Sequence, residues 1–259
     1  MKNALALIAA AALVPIQPAS AQDAGTIRIR AGIGGETRPE FIGAEGNEWA
    51  PLFDLAIAKD GEPFSAGAPD DNFAIKLVKS GGFTFGPVAN IQSGRKDKDV
   101  GIAIGRVKTT IEGGAFAQYQ LSDSLRLRGE VRKGFGGHRG VVASLGGDYV
   151  WRDGDRYVIS LGPRLLLSDG RYQRAWFGVS PQASLATDLP EYRPGGGIHA
   201  VAATSGAHVA ISKNFGLFGF ARYERLIGDA AKSPFIREYG SRNQASAGLG
   251  LTYTFSVRR

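Results

Sequence analysis

Three observations predict an all-β fold, a transmembrane antiparallel up-and-down β-barrel of about 12 strands. Apolar and polar residues alternate with a period of two in segment after segment, the chain starts with an export signal, and no later stretch is apolar enough for a membrane helix. The clearest alternation is SLRLRGEVRKGF, where Leu125, Leu127 and Val131 interleave with Arg126, Arg128, Glu130 and Arg132. A helix would repeat its apolar residues every three or four positions, so this is a strand with one face for oil and one for water. A soluble sandwich satisfies that pattern, and so does a barrel with lipid outside and a wet interior.

The first 21 residues read as a cleaved signal peptide. Lys2 gives the positive start, Ala4 to Val14 the apolar stretch and Ala19-Ser20-Ala21 the cleavage site, while Pro15 and Pro18 interrupt the run before it could span a bilayer. The mature chain is then residues 22–259. It lacks Cys, which excludes a disulfide framework and a cysteine-linked lipid anchor, and its net charge is about +6 once Lys2 is taken from the overall +7. So mild a basic balance in an exported chain argues against nucleic acid and suits anionic lipid headgroups, lipopolysaccharide or a charged interior. No linker or composition shift marks a second domain.

Candidate strands lie near 26–35, 48–58, 72–78, 82–92, 108–121, 124–135, 139–151, 155–167, 171–181, 197–211, 215–227 and 245–257, separated by Gly-, Asp- and Asn-bearing turns. Several reach the 9 to 11 residues a tilted strand needs to cross a bilayer. In the last, Leu249, Leu251, Tyr253, Phe255 and Val257 share one face and Gly250, Thr252, Thr254 and Ser256 the other. Tyr149, Trp151 and Tyr157 flank the turn RDGD. Aromatics gathered at strand ends match the girdles of membrane barrels, where amphipathic rings sit at headgroup level.

The polar faces favour the membrane over the sandwich. Central strands of soluble sheets rarely carry rows of Arg, whereas a barrel interior can hold Arg28, Arg30, Arg126, Arg128, Arg132, Arg164 and Arg222 in water or pair them with Glu112, Glu130 and Glu224. Those charges either select solutes or knit the interior together.

No catalytic constellation emerges, and the sequence implies neither an enzyme nor a cofactor. Of the three histidines, His199 and His208 are nine apart on one strand, which predicts opposite faces, and His138 lies in the turn FGGHRG, where exposure is expected. No serine occupies G-x-S-x-G. PGGGIH lacks the Lys and following helix of a phosphate loop, SGRKDKDVG reads as a solvated connection, and Asp70-Asp71-Asn72 lacks calcium-loop spacing.

One region carries a more specific signal. YERLIGDAAKSPFIREYGSRNQASAGLGLTYTF resembles the carboxy-terminal signature of the MltA-interacting protein (MipA/OmpV) family through Arg225, Leu226, Gly228, Asp229, Ala230, Ala231, Ser233, Pro234, Gly240, Ser241, Asn243, Gln244, Gly248, Leu249, Tyr253 and Phe255. GPRLLLSDGRYQRAWFGVS is similar to a second family stretch at Gly162, Pro163, Arg164, Tyr172, Phe177, Gly178, Val179 and Ser180, and Gly35, Pro39, Phe41, Gly43 and Pro51 fit a third. The chain departs from the pattern at its end, where Ser256-Val257-Arg258-Arg259 follow the aromatic that usually closes it.

The resemblance implies an outer-membrane barrel and a scaffold bringing a lytic transglycosylase together with a murein synthase. Other members imply adhesion or antibiotic response, and a small-solute pore is the alternative. The loop bearing Gly228, Asp229, Ser233, Pro234, Gly240, Ser241, Asn243 and Gln244 would face the exterior or fold inward as a brace, and a periplasmic partner would dock on short turns such as SDGR or ISKNFG.

Overall fold

The computed structural model describes residues 26–258; the predicted signal peptide, residues 1–21, lies outside them. Twelve strands form one antiparallel sheet, ten of them long. These are β1 (Ile27–Pro39), β2 (Asn47–Lys59), β5 (Phe83–Gln92), β6 (Thr110–Ser122), β7 (Leu125–Gly136), β8 (Val141–Asp153), β9 (Tyr157–Ser168), β10 (Gly197–Ala210), β11 (Phe215–Leu226) and β12 (Asn243–Val257). Two short pieces, β3 (Phe73–Ala74) and β4 (Val78–Ser80), pair with β5. Each strand from β5 to β12 pairs with the next, and β12 then pairs with β1, which pairs with β2. The sheet is thus curled into a barrel, with its two ends, β2 and β3, not bonded to each other.

The alternation places the side chains as the period demands. Along β7, Leu125, Leu127 and Val131 are exposed on the outside while Arg126 and Glu130 are buried. Exposed Phe53, Leu55 and Ile57 on β2, Leu145 on β8, Leu161 on β9 and Leu249 and Leu251 on β12 continue the outer band. Strands of 10 to 15 residues at about 3.3 Å per residue suffice for a tilted crossing of the hydrocarbon core.

The two ends differ. One holds the ends of the described chain, Thr26 and Arg258, and short turns at Asp123–Ser124, Gly154–Arg156 and Ile211–Asn214. Aromatic pairs ring it: Phe83 with Tyr119 (4.2 Å), Tyr149 with Trp151 (4.5 Å) and Phe215 with Tyr253 (5.0 Å). The opposite end carries long connections with α1 (Asp97–Val100), α2 (Gly170–Phe177), α3 (Pro181–Thr187), α4 (Gly228–Lys232) and α5 (Pro234–Tyr239).

One predicted strand is wrong. Residues 171–181 are mainly α2, because Asp169 accepts the Tyr172 amide as N-cap and Tyr172, Trp176 and Phe177 then fall on one buried helical face. The run that looked like a strand is the underside of a lid. The 72–78 strand is instead β3 and β4, bridged by amides of Ile75 and Leu77 bonding to Pro87 and Phe85 carbonyls, so the total of 12 is reached with different members. SDGR (Ser168–Arg171) opens the lid connection and is no short turn; ISKNFG is at the short-turn end.

Candidate functional site: the charged interior and its two closures

The apolar core of this protein is its lid. Phe41, Ile104, Trp176, Phe177, Leu189, Leu226, Phe235 and Ile236 pack into one cluster over the long-loop end, drawn from four connections and the end of β11. At its centre Arg95 is 2% exposed, against the expectation of a solvated connection. Its Nη1 donates to the Trp176 carbonyl at 2.8 Å and its Nη2 to Gly105 at 3.1 Å, and its guanidinium lies 4.8 Å from the Phe235 ring centroid. Carbonyls and rings thus replace water around the charge, although burial still lowers its pKa to about 10.

The motif loop latches the lid. Ser233 Oγ donates to the Phe177 carbonyl at 2.7 Å and caps α5, whose first residue is Pro234. Asp229 Oδ2 accepts the Gly195 amide at 3.1 Å, and this bond, with Lys232 nearby, holds the carboxyl below its ordinary pKa. Gln244 Oε1 accepts the Gly43 amide at 3.0 Å while its Nε2 donates to the Ala44 carbonyl at 2.9 Å; Ser241 bonds Gly43 through its amide, and Asn243 Oδ1 accepts from Tyr223 and Arg225. Gly228 has φ +58°, and a Cβ at Gly240 would sit 2.3 Å from the Gly43 carbonyl.

Below the lid lies a polar cavity of about 270 Å³ reached by residues of β5 to β11. Arg128, Glu130 and Arg132 enter from β7, Arg164 from β9 and Arg222 and Glu224 from β11, while Arg126 of β7 lies beside the cavity, bonded to Asp148 and Asp71 of its lining. Arg128 bonds Glu130 at 2.6 Å, Arg132 bonds Glu112 at 2.9 Å and Arg222 bonds Glu224 at 2.7 Å. Towards the short turns, Arg30 pairs with Asp54 at 2.7 Å and Arg28 with Asp155 at 2.8 Å.

Sequence reasoning missed the second closure. After β2, residues 60–72 turn into the interior without regular secondary structure. Phe64 is 3% exposed, with the guanidinium groups of Arg28 and Arg30 at 4.8 and 5.1 Å from its ring centroid, and Pro69 occupies space that only a glycine at 206 leaves open, 2.3 Å from where a Cβ would be. Asp70 bonds Arg164 through both oxygens, at 2.9 Å each, and Arg222 at 2.5 Å. Asp71 bonds Arg126 at 2.6 Å and lies 3.5 Å from Arg128. Asn72 donates to Glu130 at 2.7 Å. A second cavity of about 350 Å³ lies on the far side of this segment. The available signal was a pair of adjacent carboxylates in a Gly- and Pro-rich stretch.

Two histidine expectations are corrected. His138 is buried, its Nε2 2.9 Å from Glu112 Oε1. A bulge between Ile198 and Ala200 turns His199 inward, onto the same face as His208. The two remain about 30 Å apart along the strand. His199 also has a partner, Ser168 Oγ at 3.0 Å from Nδ1, but its ring packs against Tyr172 and Phe177, and no carboxylate bonds its other nitrogen among the described residues.

A family model described as MltA-interacting protein MipA matches residues 31–255. No curated protein sequence matches the chain. Among solved structures, an outer-membrane channel from Pseudomonas putida F1 is 10% identical with a TM-score of 0.41, covering 93% of this chain and 100% of its own. OprB of Pseudomonas putida is 9% identical with a TM-score of 0.43 and covers 90% and 94%. The KdgM porin is 11% identical with a TM-score of 0.37 and covers 89% and 99%.

Proposed function

The chain belongs to the MltA-interacting protein MipA family and is an outer-membrane β-barrel, and from that premise we propose that it works as a binding platform for murein-remodelling enzymes. The partners would be a lytic transglycosylase, as the family's name implies, and a murein synthase. The observation that carries the proposal is the doubly obstructed interior. A lid of packed aromatics closes one end, and residues 60–72 cross the interior below it. A barrel so filled is built to present its outside and its rims.

Barrels of this kind turn their termini and short turns to the periplasm. The docking surface is then the rim at Asp123–Ser124, Gly154–Arg156 and Ile211–Asn214, and the motif loop, on the other end, braces the lid without touching the partner. Such a rim is small, so affinity is modest unless the partner is tethered to the same membrane, which raises its effective concentration. The outer band sits in lipid, and exposed lid-end cations such as Lys98 meet lipopolysaccharide. Action by binding alone fits an interior whose histidines are structural.

The second reading, a small-solute pore, draws on the arginine-lined interior. Crosslinked, detergent-solubilised envelope passed over resin carrying this barrel separates the two. The platform retains a lytic transglycosylase and conducts poorly in a planar bilayer. Retention of solute or lipopolysaccharide alone, with steady conductance, replaces it with the pore.

A further inference from the structure

We propose that the arginines facing residues 60–72 form a binding site for a small solute with two carboxylates, and that Asp70 and Asp71 occupy it as the chain's own stand-in. Each aspartate is held as such a ligand would be. Arg164 grips Asp70 with two donors, Nε and Nη2, at 2.9 Å each, and Arg222 adds a third contact at 2.5 Å. Arg126 grips Asp71 with Nη1 at 2.6 Å and Nη2 at 3.3 Å. Paired donors of this sort match the planar shape of a carboxylate and discriminate it from a point charge.

The wall leaves these arginines short of partners. Arg126 and Arg164 share a single wall carboxylate, Asp148, at 2.5 and 2.7 Å, whereas Arg128 and Arg132 have two between them, Glu130 and Glu112, and Arg222 has Glu224. Withdrawal of the two aspartates therefore uncovers a net positive site with two open guanidinium forks. With the two aspartates seated, the Arg126 and Arg164 side chains are 4% and 7% exposed, so a ligand that takes their place is held as far from bulk water as they are. Residues 60–72 are suited to leave, being joined to no strand by a ladder and including Gly61, Gly67 and three alanine or serine residues. The inference concerns the interior alone and holds whichever partner docks on the rim.

The chain contains no Cys, so a single introduced one reports on the segment. Ala68 is buried. In otherwise native barrel, Ala68→Cys should be labelled slowly by a membrane-impermeant thiol reagent, and the dipeptide Asp-Asp should raise the rate about tenfold or more at saturation while Asn-Asn does not. Barrel carrying Asp70→Asn and Asp71→Asn, its fold checked by heat-dependent gel mobility, should bind Asp-Asp about tenfold more tightly than the native protein, since the internal competitor is gone. Adding Arg164→Gln to that variant should abolish the gain. Labelling unmoved by Asp-Asp, or equal binding of both dipeptides by the Asn variant, overturns the proposal.

Discussion

Gln244, near the start of β12, bonds the backbone of Gly43 and Ala44 across a sequence separation of about 200 residues, accepting from one at 3.0 Å and donating to the other at 2.9 Å. One amide thereby ties the first long connection to the last strand, and both bonds are buried. Gln244→Ala leaves a buried amide and a buried carbonyl without partners. The expected cost is about 1–3 kcal/mol, read as a lower midpoint in urea unfolding of the detergent-solubilised barrel. An unchanged midpoint would mean that the lid is held without this latch.

Backbone approach at the same place yields a second expectation. A methyl at Gly240 would strike the Gly43 carbonyl at 2.3 Å, whereas one at Gly35 meets nothing within 4 Å. Gly240→Ala should cost about 1–3 kcal/mol through forced displacement of the chain, and Gly35→Ala should change stability little. Thermal melting of the two variants side by side decides the matter, and equal melting temperatures would contradict this packing.

Facing on the strands is testable by charge. Val131 lies mid-strand in the outer band on β7 and Leu185 lies on the lid helix α3 at 88% exposure. Val131→Arg should cost about 2–4 kcal/mol, as a charge near the bilayer midplane does, while Leu185→Arg should be tolerated. Folding yield into lipid vesicles measures both, and equal tolerance would take the band out of the membrane.

Asp229 supplies a pH expectation. Its carboxyl is held below the ordinary value chiefly by the Gly195 amide and then by Lys232. Its contribution to the lid is therefore present above the unfolded carboxylate pKa and is lost as pH falls through the lower folded value. The Gly195 amide resonance should shift with a midpoint below 3.8, and Asp229→Asn should remove that titration. A midpoint at or above the ordinary value would leave the bond without energetic weight.

The barrel was legible because its signal is local: alternation in β7 or β12 states which side chain faces oil, and adjacent strands follow in order. The inward charges Arg126, Arg128, Glu130, Arg132, Arg164, Arg222 and Glu224 are placed by the same parity. What parity does not carry is partnership between remote segments. The Asp70 contact with Arg222 spans 152 positions, and nothing around Asp70 announces an arginine. Residues 171–181 misled because a short amphipathic helix and a strand both show sparse aromatic spacing, and the deciding N-cap, Asp169, lies outside the stretch. His199 was misplaced since one bulge reverses parity. The motif loop was visible as a motif, yet its role as a latch needed the positions of Gly43, Gly195 and Phe177.

The central claim, a platform that meets its partner at the short-turn rim, is tested most directly by photocrosslinking in intact envelope. A photoreactive residue at Lys213, in the Ile211–Asn214 turn, should yield an adduct with a lytic transglycosylase, and the same residue at Lys98, on the lid end, should not. An adduct from Lys98 alone, or none from any short turn while purified barrel conducts ions steadily, would contradict the account.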